Sequence, residues 1–363
     1  MISYRSVKKP KLLFLIAAMF CCLTLNVYAG SAGIARQLSN EIADTVEKVM
    51  PTVVVVRTEA IQYQLARDYY WGDIYKIPQR LAGQGSGIIF DKRGYILTSA
   101  HVVSGADNIE IVLDNEEKYQ ASLAGTDPNT DLAVLKITPR STLRAIDIGD
   151  SDKSRIGELV IALGSPFSLQ SSVTMGIISQ KGRHIGLLPY EDFIQTDASI
   201  NPGNSGGPLV NIDGKLIGVN AVIQTPNPQI HGNIGIGFAV PANLAIRVAR
   251  SIIENGSFER PWIGISTAPP FPGGGQNQGV VVGNVYRNTP AADVALRRND
   301  TILKIDGKPV SNISALQKAI MLRKPGKEIT LTIKRAGKTV SVQLTPVPMP
   351  NTHQILRSDQ NIP

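Results

Sequence analysis

Residues 203–208 read Gly203-Asn204-Ser205-Gly206-Gly207-Pro208, a serine enclosed by glycines. A serine hydroxyl is a poor nucleophile, and this setting supplies two of the things that can change that. Glycine lets the backbone turn tightly and approach a substrate closely. Gly203, Asn204 and Ser205 are the candidate oxyanion hole, in which the N–H groups of Gly203 and Ser205 can converge on a developing oxyanion. Taken alone, the hexapeptide also reads as a Gly-Ser hairpin turn, so the search for a base decides. Four histidines exist: His101, His184, His231 and His353. His353 lies in a polar tail, and His184 and His231 sit among glycines in loop-like segments. His101 closes the strand-like run Gly94-Tyr95-Ile96-Leu97-Thr98-Ser99-Ala100, where a rigid element can hold it facing a cleft. By itself it also fits a core histidine satisfied by a carbonyl. An orienting acid must hold the imidazole in the right tautomer. Asp131 opens the apolar strand Leu132–Ile137, where burial requires a partner. Asp127, in Asp127-Pro128-Asn129, reads as a turn residue. Asp197, eight residues before Ser205, is the rival acid, and its apolar flanks suit a structural role.

The chain order is therefore His101, Asp131, Ser205, the order of chymotrypsin rather than of subtilisin or the α/β-hydrolases. Thr98-Ser99-Ala100-His101-Val102, Thr130-Asp131-Leu132-Ala133-Val134 and the run Gln195 to Pro208 resemble the HtrA family of serine proteases. Gly85-Ser86-Gly87-Ile88-Ile89 and Gly164-Ser165-Pro166-Phe167 fit the same pattern, and the likeness covers residues 40 to 347. It implies a mostly β chain: a chymotrypsin-like double β-barrel, six strands each, with the triad between them, followed by one PDZ domain of α+β type.

In that fold the segment before the serine and the strand after it line the primary specificity pocket. Ile200, Ala221, Val222 and Ile223 are the expected walls; they carry no charge, so a small or medium apolar P1 residue is expected. Arg183 matches the family arginine that links a sensor loop to the active site, although alone it reads as a solvated loop residue. Trp262-Ile263-Gly264-Ile265 resembles a PDZ carboxylate-binding loop, and Ser314–Leu322 a groove helix with Leu316 and Ile320 one turn apart. Core packing explains that pair as well. The stretch Ala292-Asp293-Val294-Ala295-Leu296 has alanine at a turn where relatives usually carry glycine. The combination of leader, protease and single PDZ domain resembles the family's membrane-anchored stress sensors. That likeness implies a homotrimer activated by C-terminal peptides of misfolded outer-membrane proteins, with an anti-sigma factor as protein substrate. A soluble, broad-specificity quality-control protease is the competing reading, and a proteolytically silent adaptor a third.

Composition bounds the rest. The chain has 363 residues, 43% hydrophobic, with a formal charge of +8, and the four cations of the leader account for half of that charge. Nothing else forms a basic stripe, so nucleic acid is not an expected partner. Arg5, Lys8, Lys9 and Lys11 precede the apolar run Leu12–Leu25 and Val27-Tyr28-Ala29, which reads as an export leader over residues 1–29. Cleavage after Ala29 and retention as an inner-membrane anchor both fit, and either places the protein in a periplasm. Both cysteines, Cys21 and Cys22, lie in this leader, so no disulfide or thiol ligand is expected in the mature chain. Neither a metal cluster nor a phosphate loop is recognisable, and no cofactor is expected. Residues 30–50 hold a short helix expected over Ser39–Met50 with Ser39 as N-cap. Short strands between Gly, Pro, Asn and Asp turns fill the protease domain, residues 51–258, which closes with a helix over Asn243–Glu254. Residues 62–82, with Tyr69-Tyr70-Trp71, read as an inserted mobile loop over the active site or between subunits. The PDZ domain spans 259–347, and the tail 348–363 is expected to be disordered.

Overall fold

The computed structural model describes residues 33–67, 74–165, 172–188, 190–223, 235–268, 279–323 and 325–350. The chain divides into two compact units, Met1–Val49 and Met50–Pro363. In the first, helix α1 covers residues 33–49. It starts six residues earlier than expected, so Ser39 lies inside the helix and caps nothing.

The second unit begins with a seven-stranded antiparallel sheet in the order β5-β4-β1-β2-β3-β7-β6. Its strands are β1 (Val53–Arg67), β2 (Ile74–Asp91), β3 (Tyr95–Ser99), β4 (Asn108–Val112), β5 (Lys118–Gln120), β6 (Ser122–Asp127) and β7 (Leu132–Lys136). The one-turn helix α2 (Ala100–Val103) follows β3. Val54, Val56, Ile89, Ile96, Ile111 and Leu135 fill the interior. Strand alternation puts these residues on one face, and their removal from water is the main driving term.

A second sheet contains β8 (Asp147–Ile148), β9 (Leu159–Gly164), β10 (Ser172–Arg183), β11 (Phe193–Thr196), β12 (Pro208–Asn211), β13 (Lys215–Ile223) and β14 (Gly237–Pro241). Its order β12-β9-β10-β11-β14-β13 is closed by pairing of β12 with β13, giving a six-stranded barrel with β8 added in parallel. Closure leaves no free edge within the ring. Helix α3 (Ala242–Asn255) follows, one residue longer at each end than expected, and Gly256 ends it by donating its N–H to the Ile252 carbonyl.

The C-terminal part holds the two-stranded pair β15 (Pro261–Trp262) and β22 (Val347–Pro348). Beside it lies a sheet of β16 (Ile265–Thr267), β17 (Val280–Val285), β18 (Thr301–Ile305), β19 (Lys308–Pro309), β20 (Ile329–Arg335) and β21 (Lys338–Leu344). Helices α4 (Pro290–Asp293) and α5 (Ile313–Met321) complete it. Strand β16 is an edge strand.

Three expectations are corrected. Residues 62–67 and 74–82 are not loop: β1 and β2 run on in register from Val53↔Ile88 to Arg67↔Ile74. Tyr69-Tyr70-Trp71 lies outside the described residues. The tail does not leave the fold at residue 348, because Pro348 pairs with Pro261 and Met349 N–H donates to the Arg260 carbonyl. Asp127 is no ordinary turn residue: it is buried and ion-paired with Arg260. A buried carboxylate needs such a partner. Among the described residues no helix is long and apolar enough to cross a membrane.

Candidate active site

His101 sits in α2, directly after β3, and Asp131 immediately precedes β7, the neighbour of β3. The Ala100 N–H donates to the Asp131 carbonyl at 3.0 Å, which locks the two turns together. Asp131 has φ +56°. Aspartate enters this left-handed region because its short side chain bonds locally. Here Oδ1 accepts the His101 backbone N–H at 2.9 Å, and Oδ2 lies 2.6 Å from Nδ1. A carboxylate only accepts, so Nδ1 carries the proton and Nε2 is left as the basic nitrogen. The Asp131 side chain is 13% exposed and that of His101 52%, so the acid is covered while the ring edge faces solvent.

Ser205 comes from the second sheet, the closed barrel, in the turn before β12. The sheet that carries His101 and Asp131 has seven strands rather than the expected six and no closing strand pair among the described residues. Ser86, fully buried in β2, joins the two halves. Its N–H donates to the Ser205 carbonyl at 2.9 Å, its Oγ donates to the Gly203 carbonyl at 2.6 Å, and its Oγ also accepts the Ser165 N–H at 2.8 Å. Gly206 N–H donates to the Asn220 carbonyl, while Asn220 N–H donates to that of Gly207. The Asn220 side chain, fully buried, donates to the carbonyls of Leu163 and Pro208. Gly206 has φ +84°, and a Cβ there would stand 2.3 Å from the Ser86 carbonyl oxygen. Only glycine fits both requirements.

Ser205 Oγ donates to the Ala221 carbonyl at 3.2 Å, and among the described residues it has no hydrogen bond to His101. The Gly203 and Ser205 N–H groups likewise have no intramolecular acceptor among the described residues, so both are open to an oxygen ligand. Asn204 differs from expectation: its N–H is spent on the Asn201 carbonyl at 3.0 Å, which withdraws it from the candidate oxyanion donors.

Among the expected pocket walls, Ala221 is buried beside Ser205. Ile200 is fully buried in the core of the second barrel with Val160, Ile178, Leu209 and Ala239, so it faces packed side chains rather than an open pocket. Val222 and Ile223 lie in β13 opposite Phe238 and Gly237, and their side chains fall outside the described set. Asp197 is exposed and accepts the Ile177 N–H at 2.7 Å, a tie between strands and not a partner of His101. Arg183 ends β10 and its Nε donates to Gln195 Oε1 at 2.7 Å. His231, His353, Pro166, Phe167 and residues 269–278 lie outside the described residues.

Directly after Arg183, a buried carboxylate organises the next turn. Glu191 accepts N–H groups from Ile185, Gly186, Leu187 and Leu188, and lies 3.2 Å from His184 Nδ1. Burial pushes its pKa up, but the four N–H bonds outweigh this and hold it below the usual glutamate range. Its neighbour Asp192 is pushed up by burial, against the pull of Lys318. Lys318, on α5, bridges Asp192 at 3.0 Å and Asp152 at 2.8 Å. Arg247 of α3 donates to the Leu322 carbonyl at the end of the same helix.

In the C-terminal sheet, Ile263 and Leu316 are buried in the core, and Ile320 packs against it from outside. Gly264 has φ +87°, and a Cβ there would meet Thr289 at 2.2 Å. The Ile263 and Gly264 N–H groups have no intramolecular acceptor among the described residues, and Ile265 opens edge strand β16. Trp262 packs against Tyr286, ring centroids 5.5 Å apart.

Sequence reasoning placed Ser86 in a family-like motif but assigned it no role, and Asn220, Glu191 and Lys318 went unnoticed. An asparagine inside the apolar run Leu216–Ile223 was a legible signal of a buried polar anchor, and so was a serine between two strand glycines. Nothing local marked Glu191 or Lys318.

Residues 85–219 match the family described as Trypsin-like peptidase domain, and 232–345 match PDZ domain. A protein of Chlamydia trachomatis serovar D named Probable periplasmic serine endoprotease DegP-like is 43% identical over 279 residues, covering 75% of this chain and 55% of that one. The chain thus spans about half the length of the first of these curated relatives. A protein of the same name from Bartonella henselae is 32% identical, covering 90% of this chain and 72% of its own. The solved structure titled HtrA-type protease AlgW with decapeptide superposes with a TM-score of 0.68 at 39% identity, over 85% of this chain and 99% of that one. Two β-sheets, the second closed into a barrel, contribute the His-Asp pair and the serine, a PDZ domain follows, and these likenesses run along most of the chain; the protein belongs to the HtrA-type family of serine proteases.

Proposed function

We propose that the protein is a serine endopeptidase of the periplasm whose cleavage is switched on by peptide binding to its PDZ domain. In this reading Ser205 Oγ attacks a peptide carbonyl, and His101 Nε2 takes its proton and returns it to the leaving amine. Asp131 holds the tautomer and stabilises the imidazolium. Gly203 and Ser205 N–H groups receive the oxyanion. The observation that carries the reading is the bidentate seat of His101 on Asp131, beside a serine whose turn is anchored to the same barrel through Ser86.

Two features support regulation. The Ser205 hydroxyl rests on the Ala221 carbonyl, so that hydrogen bond must be given up before His101 can take the proton. The helix expected to line the peptide groove is tied through Lys318 to Asp192, next to the glutamate that holds the 185–188 turn. A hydrophobic C-terminal peptide would add to edge strand β16, with its carboxylate on the N–H groups of Ile263 and Gly264. The finer role is DegS-like: a homotrimer that responds to C-termini of misfolded outer-membrane proteins and cleaves an anti-sigma factor, at a small or medium apolar P1 residue. The relatives' DegP-like name favours a second reading, a soluble, broad-specificity quality-control protease.

The test is hydrolysis of an unfolded protein with and without a hydrophobic C-terminal peptide, in wild type and Ser205→Ala. Regulated proteolysis requires activity that rises with peptide and vanishes in the variant. Equal activity with and without peptide leaves the second reading. Cleavage by purified Ser205→Ala removes the nucleophile assignment.

A further inference from the structure

Gly203 has φ +101°, a conformation that glycine holds without strain and can also leave at little cost. A contact from outside the residue must therefore select it. The peptide groups that follow are each held. Between Ser205 and Gly206, the carbonyl accepts the Ser86 N–H and the N–H donates to the Asn220 carbonyl. Between Asn204 and Ser205, the carbonyl accepts the Gly207 N–H at 3.0 Å. A trans peptide points its carbonyl and its N–H in opposite directions, so the Ser205 N–H is turned away from Gly207. Between Gly203 and Asn204 both ends are clamped. The Asn204 N–H donates to the Asn201 carbonyl at 3.0 Å, and the Ser86 hydroxyl donates to the Gly203 carbonyl at 2.6 Å. The first of these bonds is local to the turn. The second comes from β2, 117 residues away.

Ser86 is 0% exposed, and its hydroxyl has one proton to give. That proton goes to Gly203, while the oxygen accepts the Ser165 N–H. The place of Ser86 is itself set. Thr98 Oγ1 donates to the Ser86 carbonyl at 2.7 Å. A Cβ on Gly85 would stand 2.6 Å from the Val102 side chain and 3.3 Å from the Ser205 carbonyl oxygen, so glycine lets β2 lie close to both the histidine's helix and the serine's turn. Without the Ser86 hydroxyl the Gly203 carbonyl loses this donor. Glycine's freedom then lets the 203–204 peptide rotate, and the N–H groups of Gly203 and Ser205 lose their common aim.

We propose that Ser86 is a positioning residue of the peptidase reaction, its hydroxyl holding the Gly203 carbonyl so that the Gly203 and Ser205 N–H groups converge on the oxyanion. The proposal rests on Ser205 being the nucleophile of a serine peptidase.

The test compares the full chain as wild type, Ser86→Ala and Thr98→Val, each with a C-terminal peptide ending in phenylalanine added. The substrate is a peptide ester with valine at P1, and the inhibitor is the matching peptide boronic acid, whose tetrahedral adduct presents an oxygen to the same N–H groups. Thr98→Val removes an equally buried hydroxyl that makes no hydrogen bond to residues 203–205. Ser86→Ala should lower kcat by about ten- to a thousandfold, the upper end being the loss expected when a whole oxyanion donor is removed. KM should stay within about twofold, and the boronate Ki should rise by the factor that kcat/KM falls, as transition-state binding requires. Thr98→Val should keep kcat and Ki within about threefold, because it leaves the oxyanion donors in place. Circular dichroism and a cooperative melt show that each variant is folded. If Ser86→Ala does not fold, Ser86→Cys, which retains only a weak donor, replaces it and should show a smaller loss of the same kind. Unchanged kcat in a folded Ser86 variant, a loss confined to KM, or an equal loss in Thr98→Val overturns the proposal. Labelling with a fluorophosphonate separates this from failure of the nucleophile assignment. A wild type that is not labelled at Ser205 removes the assignment and the proposal together, whereas a labelled wild type with an unimpaired Ser86→Ala removes the proposal alone.

Discussion

Replacing Glu191 with alanine should release the turn at residues 185–188 while leaving the barrel intact. In the native turn four consecutive N–H groups point at one buried carboxylate, with Gly186 and Leu188 at 2.8 and 2.7 Å. Hydrogen bonds to an ionised acceptor contribute about 1.5–3 kcal/mol each, which would give an implausibly large total for four. They share two oxygens, and Gly186 and Leu187 are exposed enough for water to replace the acceptor. A cost of about 3 kcal/mol for opening the turn is the reasonable figure, or roughly a hundredfold loss of amide protection. Hydrogen exchange resolved to single amides measures this directly at residues 185–188, with β11 amides (Phe193–Thr196) as the internal control. Glu191→Gln keeps one acceptor oxygen and should lose about half as much. Unchanged protection at 185–188 in Glu191→Ala would refute the reasoning, and so would equal loss in β11, which means global unfolding. The pH dependence has a definite sign. A carboxyl with a depressed folded pKa contributes stability above its unfolded value of about 4.3, and this is lost as pH falls through the folded value. Protection of the turn should therefore persist from neutrality to about pH 4 and fall only in stronger acid.

Asp131→Asn should keep the fold and lower kcat by about four orders of magnitude, because the amide favours the wrong His101 tautomer; steady-state kinetics checks this. Gly206→Ala forces a Cβ against the Ser86 carbonyl at φ +84° and should destabilise by at least about 2 kcal/mol in urea unfolding. Ala295 sits at φ +52°, so Ala295→Gly should relieve about 1–2 kcal/mol of strain, less glycine's entropic cost, for a net gain of about 0.5–1 kcal/mol in a denaturant titration. Lys318→Met removes a counter-ion from Asp192, whose pKa burial has already raised. A raised folded pKa favours folding below the unfolded value and loses that advantage as pH rises. The variant's deficit against wild type should therefore be larger at pH 7.5 than at pH 5 in thermal melts.

Much of the site was legible because its chemistry is local. A serine among glycines, a histidine at a strand end and an aspartate opening an apolar strand are short-range patterns. The structure brings the histidine and aspartate together because β3 and β7 are neighbours. Strand β3, Tyr95–Ser99, falls within the strand-like run that ends at His101. The outer ends of β1 and β2 read as an inserted loop although Ile61-Gln62-Tyr63-Gln64-Leu65 alternates at the strand period, because the segment is longer than a simple hairpin connection. Asp127 was misread for a related reason. Its Pro-Asn neighbours are turn residues, and its partner Arg260 lies 133 residues away.

By itself the sequence determined the order of the chemical groups, the mostly β pattern of residues 53–241, and the glycines that permit a tight nucleophile turn. Tertiary structure alone decided which N–H groups remain free at the site, that Ser205 rests on Ala221, and that Lys318 joins α5 to the Asp192 segment. The physical reason is the same in each case. Whether a polar group is spent or available depends on the partner that folding places within about 3 Å of it, and that partner can lie anywhere in the chain.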